Sequence, residues 1–509
     1  MAFNLETFKT NLLNKKSPDE ILQTAKDANL KKTLNAFDLI MLGIGAVIGT
    51  GIFTIIGVAA AGGPESLGAG PALVVSMVIA MLACLFSALC YSEFASMIPV
   101  AGSSYTYTYA TMGEFMAWMI GWVLMLEYAI GNITVASAWS GYFFEFLRGF
   151  SHILPSWLVN PPIYLINDYR TAVSIYTDMG LDPGVEIPRL FGFIPLAINI
   201  PAILLVIIIT MLLVRGIKES TRTATVMVFI KLAVIFMFII AGAFYVKPEN
   251  WTPFAPNGFH GIISGAFIIF FAYIGFDAIS TAAEETKNPQ RNLPIGLIGT
   301  LIICTIVYVL TALVLCGMVP IDKINVLAPI SAAMSETGNN WIAGFISVGA
   351  LAGLTSVLLV YQLGTTRILY AMSRDGFLPK VLQDVHKKYQ TPHIITWVSG
   401  LIVVIGALFM DLNVSAELCD FGTFASFTVV CIAVLILRKT DPERKRPFKV
   451  PFVPLFPILG ILFCGGLMVY SLFTLGTSAI LFPLWVLIGI IIYFGYCYKN
   501  IRKIEKENN

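Results

Sequence analysis

Long stretches of this 509-residue chain are apolar, and the polar residues collect between them. A helix needs about 20 apolar residues to cross a bilayer, since each residue rises about 1.5 Å through roughly 30 Å of hydrocarbon. Twelve stretches qualify: 36–61, 70–97, 114–147, 191–214, 223–246, 259–284, 293–319, 341–370, 393–410, 415–437, 451–473 and 477–497. The pattern predicts an all-α polytopic membrane protein with twelve transmembrane helices. The first stretch follows a 35-residue polar tail, which a cleavable signal peptide would not. In that tail Ser17-Pro18-Asp19-Glu20 is a capping box with proline at the first helical position. Ile21, Leu22 and Ala25 then share a face, so a short amphipathic helix is expected at the inner interface. The polar segment 149–190 is expected to form a short cap on the outer surface.

Glycine interrupts two of the stretches. Span 1 reads Gly43-Ile44-Gly45-Ala46-Val47-Ile48-Gly49-Thr50-Gly51, and span 6 reads Phe270-Phe271-Ala272-Tyr273-Ile274-Gly275-Phe276-Asp277. Backbone groups in lipid need partners, so a helix unwinds there only where the freed groups face a cavity. The two ends of an interrupted helix then present opposite partial charges to one spot. An amino acid zwitterion fits such a spot. Its carboxylate would take amides near Thr50 and Gly51, and its ammonium would take carbonyls near Phe271, Ala272 and Ile274. Gly45-x-x-x-Gly49 also satisfies a close-packing motif. The position of the two clusters favours the binding site. Spans 1 and 6 open two sets of five spans, 1–5 and 6–10, of opposite sense, as in inverted-repeat transporters.

Composition and charge sharpen this picture. Charged residues are 12% of the chain, against about 25% in soluble proteins. Lys and Arg fall 26 on one side of the predicted spans and 5 on the other. The positive-inside rule places both termini in the cytoplasm. A net charge of +2 gives no case for nucleic acid. The eight cysteines are dispersed, without CxxC, and read as buried apolar residues. Three ionisable residues lie deep in spans: Glu127 in span 3, Lys231 in span 5 and Asp277 at the break in span 6. A charge at the bilayer centre costs roughly 2.5–3.5 kcal/mol on insertion scales, so such residues are functional candidates. Lys231 is read as a proton carrier or as a snorkelling lysine. Glu127 and Asp277 are read as partners for an ammonium or a proton, or as packed ion pairs. Glu93, Glu284 and Glu285 lie near inner span ends and read as gate or loop contacts. There is no GxxxxGK[ST], HExxH or GxSxG, so the chain does not read as an enzyme, and no metal or cofactor is expected.

The motifs together resemble the amino acid–polyamine–organocation superfamily. They are Phe37-Asp38 through Gly51-Ile52-Phe53, Tyr91-Ser92-Glu93-Phe94-Ala95, Pro99 to Tyr107, Phe271 to Asp277, Glu284-Glu285-x-x-Asn288-Pro289-Gln290-Arg291 and Ser373-Arg374-Asp375-Gly376. Within it the chain is most similar to the bacterial cationic amino acid transporters, over about 33–500. The resemblance implies a 5+5 inverted-repeat core with discontinuous helices 1 and 6, plus spans 11–12. Residues 1–35 would be a cytoplasmic tail, 36–440 the transport core, 441–498 spans 11–12, and 499–509 a second cytoplasmic tail. It implies substrate contacts at Val47, Gly49, Thr50, Gly51, Glu127, Phe271, Ala272, Ile274, Asp277 and Tyr361. Tyr361 would narrow the side-chain subsite and favour a smaller amino acid. Lys231 matches the lysine that stands in place of sodium in proton-coupled members, so H+ is the expected coupling ion.

The expected function is proton-coupled uptake of L-amino acids, small neutral or cationic, at the plasma membrane by alternating access. An exchanger, a sodium-coupled carrier and a non-transporting amino acid sensor are the alternatives. The lipid bilayer is an expected partner, and a small membrane-protein partner is left open.

Overall fold

The computed structural model describes residues 12–27, 32–63, 66–148, 150, 152–191, 194–325, 328–389, 391–410, 412–474 and 476–508. In chain order its main helices are α1 (Pro18–Asp27), α2 (Ala36–Val47), α3 (Gly51–Ala61), α4 (Gly70–Met97), α5 (Ser104–Thr111) and α6 (Glu114–Arg148). Then come α7 (Ile200–Arg215), α8 (Ile217–Ala243), α9 (Gly258–Phe270), α10 (Ala278–Thr281) and α11 (Pro289–Met318). The last are α12 (Asn340–Arg374), α13 (His393–Phe409), α14 (Leu412–Thr440), α15 (Leu455–Phe473) and α16 (Thr477–Lys503). Among the described residues nine helices are long and apolar enough to cross a membrane. A tenth span is α2 with α3, which meet at 45°. The apolar helices α7 and α13 are shorter, with 16 and 17 residues.

The fourth stretch starts later than its hydropathy suggests. Ile194–Pro195 pairs with Arg189–Leu190 as a two-residue hairpin, and the helix begins at Ile200. Asn199 caps it, its side chain accepting from the Ala202 amide, and Pro201 occupies the first turn. The segment between α6 and α7 forms a small cluster in which Ala172 and Tyr176 pack on Ile187 and Ala197. Before the first span, α1 carries the expected capping box, with Ser17 and Glu20 exchanging bonds of 2.9 and 3.1 Å. Ile21 is buried, while the side chains of 24–27 lie outside the described residues.

Burial sorts the helices. The apolar window of α6 is 89% buried, and those of α15 and α16 are 22% each. The first is therefore central and the other two peripheral. Leu204 and Ile208 of α7, and Phe229, Phe236 and Ile240 of α8, point outward as exposed apolar residues. A water-soluble surface would not carry such stripes, and hydrocarbon suits them.

Candidate transport site

In an unbroken helix the carbonyls of Gly45, Ala46, Val47 and Ile48 would accept the amides of Gly49 to Ile52. Here Ile48 is extended (φ −77°, ψ 97°), and the Ile52 amide turns to Gly49 O at 3.2 Å. Side chains from three other helices take the freed carbonyls. Lys231 of α8 donates to Gly45 O at 3.0 Å and to Ile48 O at 2.6 Å. Ser356 of α12 accepts from Lys231 at 2.9 Å, and its one hydroxyl proton serves either Gly353 O at 2.7 Å or Gly45 O at 3.1 Å. Tyr308 of α11 lies 2.8 Å from Val47 O. The fully buried Lys231 ammonium thus fills its three donor positions with neutral oxygens. It sits at the C-terminal, negative end of α2, where a cation is favoured.

The second break follows α9. Phe271–Tyr273 makes one tight turn, closed by the Ile274 amide on Phe271 O at 3.2 Å. Ile274 is extended, and Gly275 adopts φ +106°. A side chain at Gly275 would be strained, and its Cβ would lie 2.9 Å from the Tyr361 ring and 3.0 Å from Ala46. The two breaks touch: a Cβ on Gly51 would collide with Ala272. Tyr308 also joins them, with its hydroxyl 2.8 Å from Ala272 O as well as from Val47 O. One hydroxyl proton serves one of these carbonyls at a time.

Between the breaks lies a small cavity, with room for about one water molecule. Gly49, Thr50 and Gly51 line one part of its wall, and Val135, Phe271, Ile274, Val357 and Tyr361 line another. The Thr50 hydroxyl is buried without a hydrogen-bond partner. The amides of Thr50 and Gly51 lie in the first turn of α3, where the helix supplies no acceptor. No carboxylate or basic side chain is among the lining residues.

The family described as amino acid permease matches residues 34–497. The chain belongs to this family. The branched-chain amino acid permease of Bacillus subtilis (strain 168) is 44% identical over 497 residues, 97% of this chain and 99% of that protein. The methylthioribose transporter of the same organism is 43% identical over 492 residues, 96% and 99% of the two chains. The vacuolar cationic amino acid transporter 4 of Arabidopsis thaliana is 34% identical over 441 residues, 85% and 68%. As a permease of this family, the chain is a transporter and not an enzyme.

Most site residues expected from the permease sequence meet at this cavity. Val47, Gly49, Thr50, Gly51, Phe271, Ile274 and Tyr361 line it, and Ala272 stands behind Gly51. Glu127 and Asp277 do not line it. On α6 the positions facing the site are Tyr128, Gly131 and Val135: Tyr128 and Gly131 meet Tyr361, and Val135 lines the cavity. Glu127 is one position off that stripe, about 100° around the helix. It faces α14 instead, where Ser426 Oγ donates to it at 3.3 Å. Asp277 lies past the cavity and accepts from the Tyr128 hydroxyl at 2.6 Å.

Sequence reasoning missed Tyr308, Tyr128, Val135 and Val357. Tyr308 had a signal, a hydroxyl amid apolar residues of span 7, but the valines had none.

Toward the predicted inner side the remaining acids are paired. Glu93 accepts from Arg438 at 2.6 and 2.9 Å and meets Arg446 at 3.2 Å. Glu284 meets Arg374 at 3.3 Å and accepts the Ala101 amide at 3.0 Å. Glu285 pairs with Arg367. These contacts join the ends of α4 and α14 and tie the segment after α10 to α12.

Proposed function

We propose that this permease is a proton-coupled importer of small neutral L-amino acids in the plasma membrane, working by alternating access. The observation that carries the proposal is the Lys231 ammonium held on the Gly45 and Ile48 carbonyls, beside a cavity with no charged lining. The substrate carboxylate takes the Thr50 and Gly51 amides and the Thr50 hydroxyl. Its ammonium faces the carbonyls of Phe271, Ala272 and Ile274. Its side chain lies among Val135, Val357 and Tyr361. When Lys231 loses its proton, its hold on the end of α2 weakens. The half-helix then loosens and the site opens inward.

We take α7, α13 and the α2–α3 pair as spans. Together with the nine long helices they make twelve, with both termini cytoplasmic by the basic-residue count. The two breaks then open two inverted repeats of five helices.

The similar proteins are named for different substrates: branched-chain amino acids, methylthioribose and cationic amino acids. An uncharged cavity supports a neutral side chain over a cationic one. Methylthioribose is also uncharged, and its near-equal relative keeps it as a second reading. Uptake of labelled leucine and alanine into proteoliposomes tests both. An imposed pH gradient should drive accumulation, and Lys231→Ala should abolish that drive. Accumulation indifferent to the gradient would sink the coupling. Drive by a sodium gradient would favour the sodium-coupled alternative. Competition by methylthioribose but not by amino acids would replace the substrate, and preferential competition by arginine would overturn the neutral reading.

A further inference from the structure

The wall that Tyr361 gives the cavity is set where α6 crosses α12. Tyr361 of α12 packs on Gly131 of α6, and Tyr128 of α6 packs on Gly364 of α12. A Cβ at either glycine would run into the opposite ring. The exchange is reciprocal, and the two rings lie 5.5 Å apart between centroids. Apolar packing is non-directional, so this contact fixes the spacing of the two helices better than their rotation.

A directional contact stands at the next position of each helix. Asn132 Nδ2 donates to Gln362 Oε1 at 3.1 Å, and Gln362 Nε2 donates to Ser399 Oγ of α13 at 3.0 Å. The Gln362 amide is thus held at both ends, by α6 and by α13. Around it, Thr366 Oγ1 donates to Gln362 O at 2.9 Å, and Ser399 Oγ donates to Thr396 O at 2.9 Å. Asn132, Gln362, Thr366 and Ser399 are all buried, and none lines the cavity. Asn132 Oδ1 has no hydrogen-bond partner among the described residues. An unsatisfied buried acceptor costs stability, so stability alone does not account for this amide pair. Hydrogen bonds are directional, and two of them at opposite ends of one planar amide fix the rotation of the helix that carries it. Tyr361 precedes Gln362 on that helix, about 100° around the axis.

We propose that Gln362 is a positioning residue for substrate size. Clamped between Asn132 and Ser399, it sets the rotation of α12, and with it how far the Tyr361 ring enters the cavity. With the clamp removed, α12 turns about its axis and the ring moves off Gly131. The apolar wall then recedes from Val135 and Val357. The clamp therefore admits small side chains and excludes larger ones without touching the substrate.

The inference rests on the reading of the cavity as the site of a neutral amino acid, and the test separates the two. Counterflow of labelled leucine is measured in proteoliposomes, with leucine and phenylalanine as competitors. The proteins are the wild type, Gln362→Met, Tyr361→Ala and the double variant. Methionine keeps the length of glutamine and removes both hydrogen bonds of its amide. The readout is the ratio of the two inhibition constants, which does not depend on how much protein is folded. Gln362→Met is expected to shift this ratio about fivefold or more toward phenylalanine, a modest step for an apolar pocket. Once Tyr361 is alanine, the same substitution is expected to leave the ratio within about twofold. A smaller shift in the first background overturns the role, even where the melting temperature falls, since that marks a structural amide. A larger shift in the second also overturns it, because Gln362 would then act without Tyr361. Should Gln362→Met or Tyr361→Ala fail to fold, Ser399→Ala decides, since it deletes one oxygen at the far end of the clamp. A shift of about twofold or more toward phenylalanine then supports the role, and a smaller one overturns it. A wild type without leucine counterflow refutes the amino acid reading and this role with it. Leucine counterflow with a ratio indifferent to Gln362 refutes this role alone.

Discussion

At the scale of single residues, the site depends on who satisfies each freed carbonyl. Tyr308 serves both breaks. Tyr308→Phe removes its proton and leaves Val47 O and Ala272 O without a donor there, a loss of about 1–3 kcal/mol for an unsatisfied buried group. The expected outcome is a lower melting temperature in detergent and slower uptake with substrate selectivity retained. Tyr361 sets the size of the apolar wall. Its ring presses on Gly131 and Gly275 and lies 5.5 Å from the Tyr128 ring. Tyr361→Ala opens that wall, and larger amino acids such as phenylalanine should then compete with labelled leucine where they did not before. Truncating a large buried aromatic costs about 3–5 kcal/mol, so the competition assay needs a melting curve beside it. The sequence marked Tyr361 through family resemblance. It did not mark Tyr308, because one of its partners, Val47 O, lies 261 positions away on another helix.

At the scale of elements, the two broken helices form the wall of the cavity. Their glycines allow the chain to unwind, and they also let the breaks approach. Gly51 lies against Ala272, Gly49 against Val357, and Gly43 against Thr300 and Ile279. Packing and unwinding, which looked like competing explanations of Gly45-x-x-x-Gly49, are both present in this span. Gly51→Ala forces the breaks apart, with overpacking of about 1–3 kcal/mol. Uptake is expected to fall more than tenfold while the protein still folds, as size-exclusion chromatography and melting in detergent would report. The breaks were legible in the sequence, since glycine clusters mid-membrane have few other uses. The angular setting of α6 was not. Glu127 and Tyr128 are neighbours in sequence, yet only Tyr128 turns toward the site, and a one-residue offset of 100° is invisible to a hydropathy pattern.

At the scale of the whole molecule, the N-terminal segment ties several helix ends together. Asn14 O accepts the Glu114 amide at 2.9 Å, Lys16 meets Asp375 at 2.6 Å, and Asp19 meets Arg444 at 3.0 Å. Further along, the Thr33 and Leu34 amides donate to Glu285 O at 2.8 and 3.0 Å, next to α10. In the alternating-access mechanism proposed above, inward opening parts some of these contacts. Partly exposed ion pairs are worth about 0–1 kcal/mol, so Lys16→Ala should speed counterflow by roughly two- to fivefold. Unchanged or slower exchange would show that this pair does not hold the inner side closed. The contact also gives a use to Asp375 of the Ser373-Arg374-Asp375-Gly376 motif, which hydropathy alone left unassigned. What the sequence by itself determined was the solvent, the helical class and the place of the breaks. Those follow from composition, periodicity and glycine, which are properties of local chain. Only the tertiary structure decided which side chains take the freed carbonyls, that the cavity has no charged lining, and that two acids lie beside it without a cation. Those are matters of angle and distance between helices far apart in sequence, and a one-dimensional pattern carries neither.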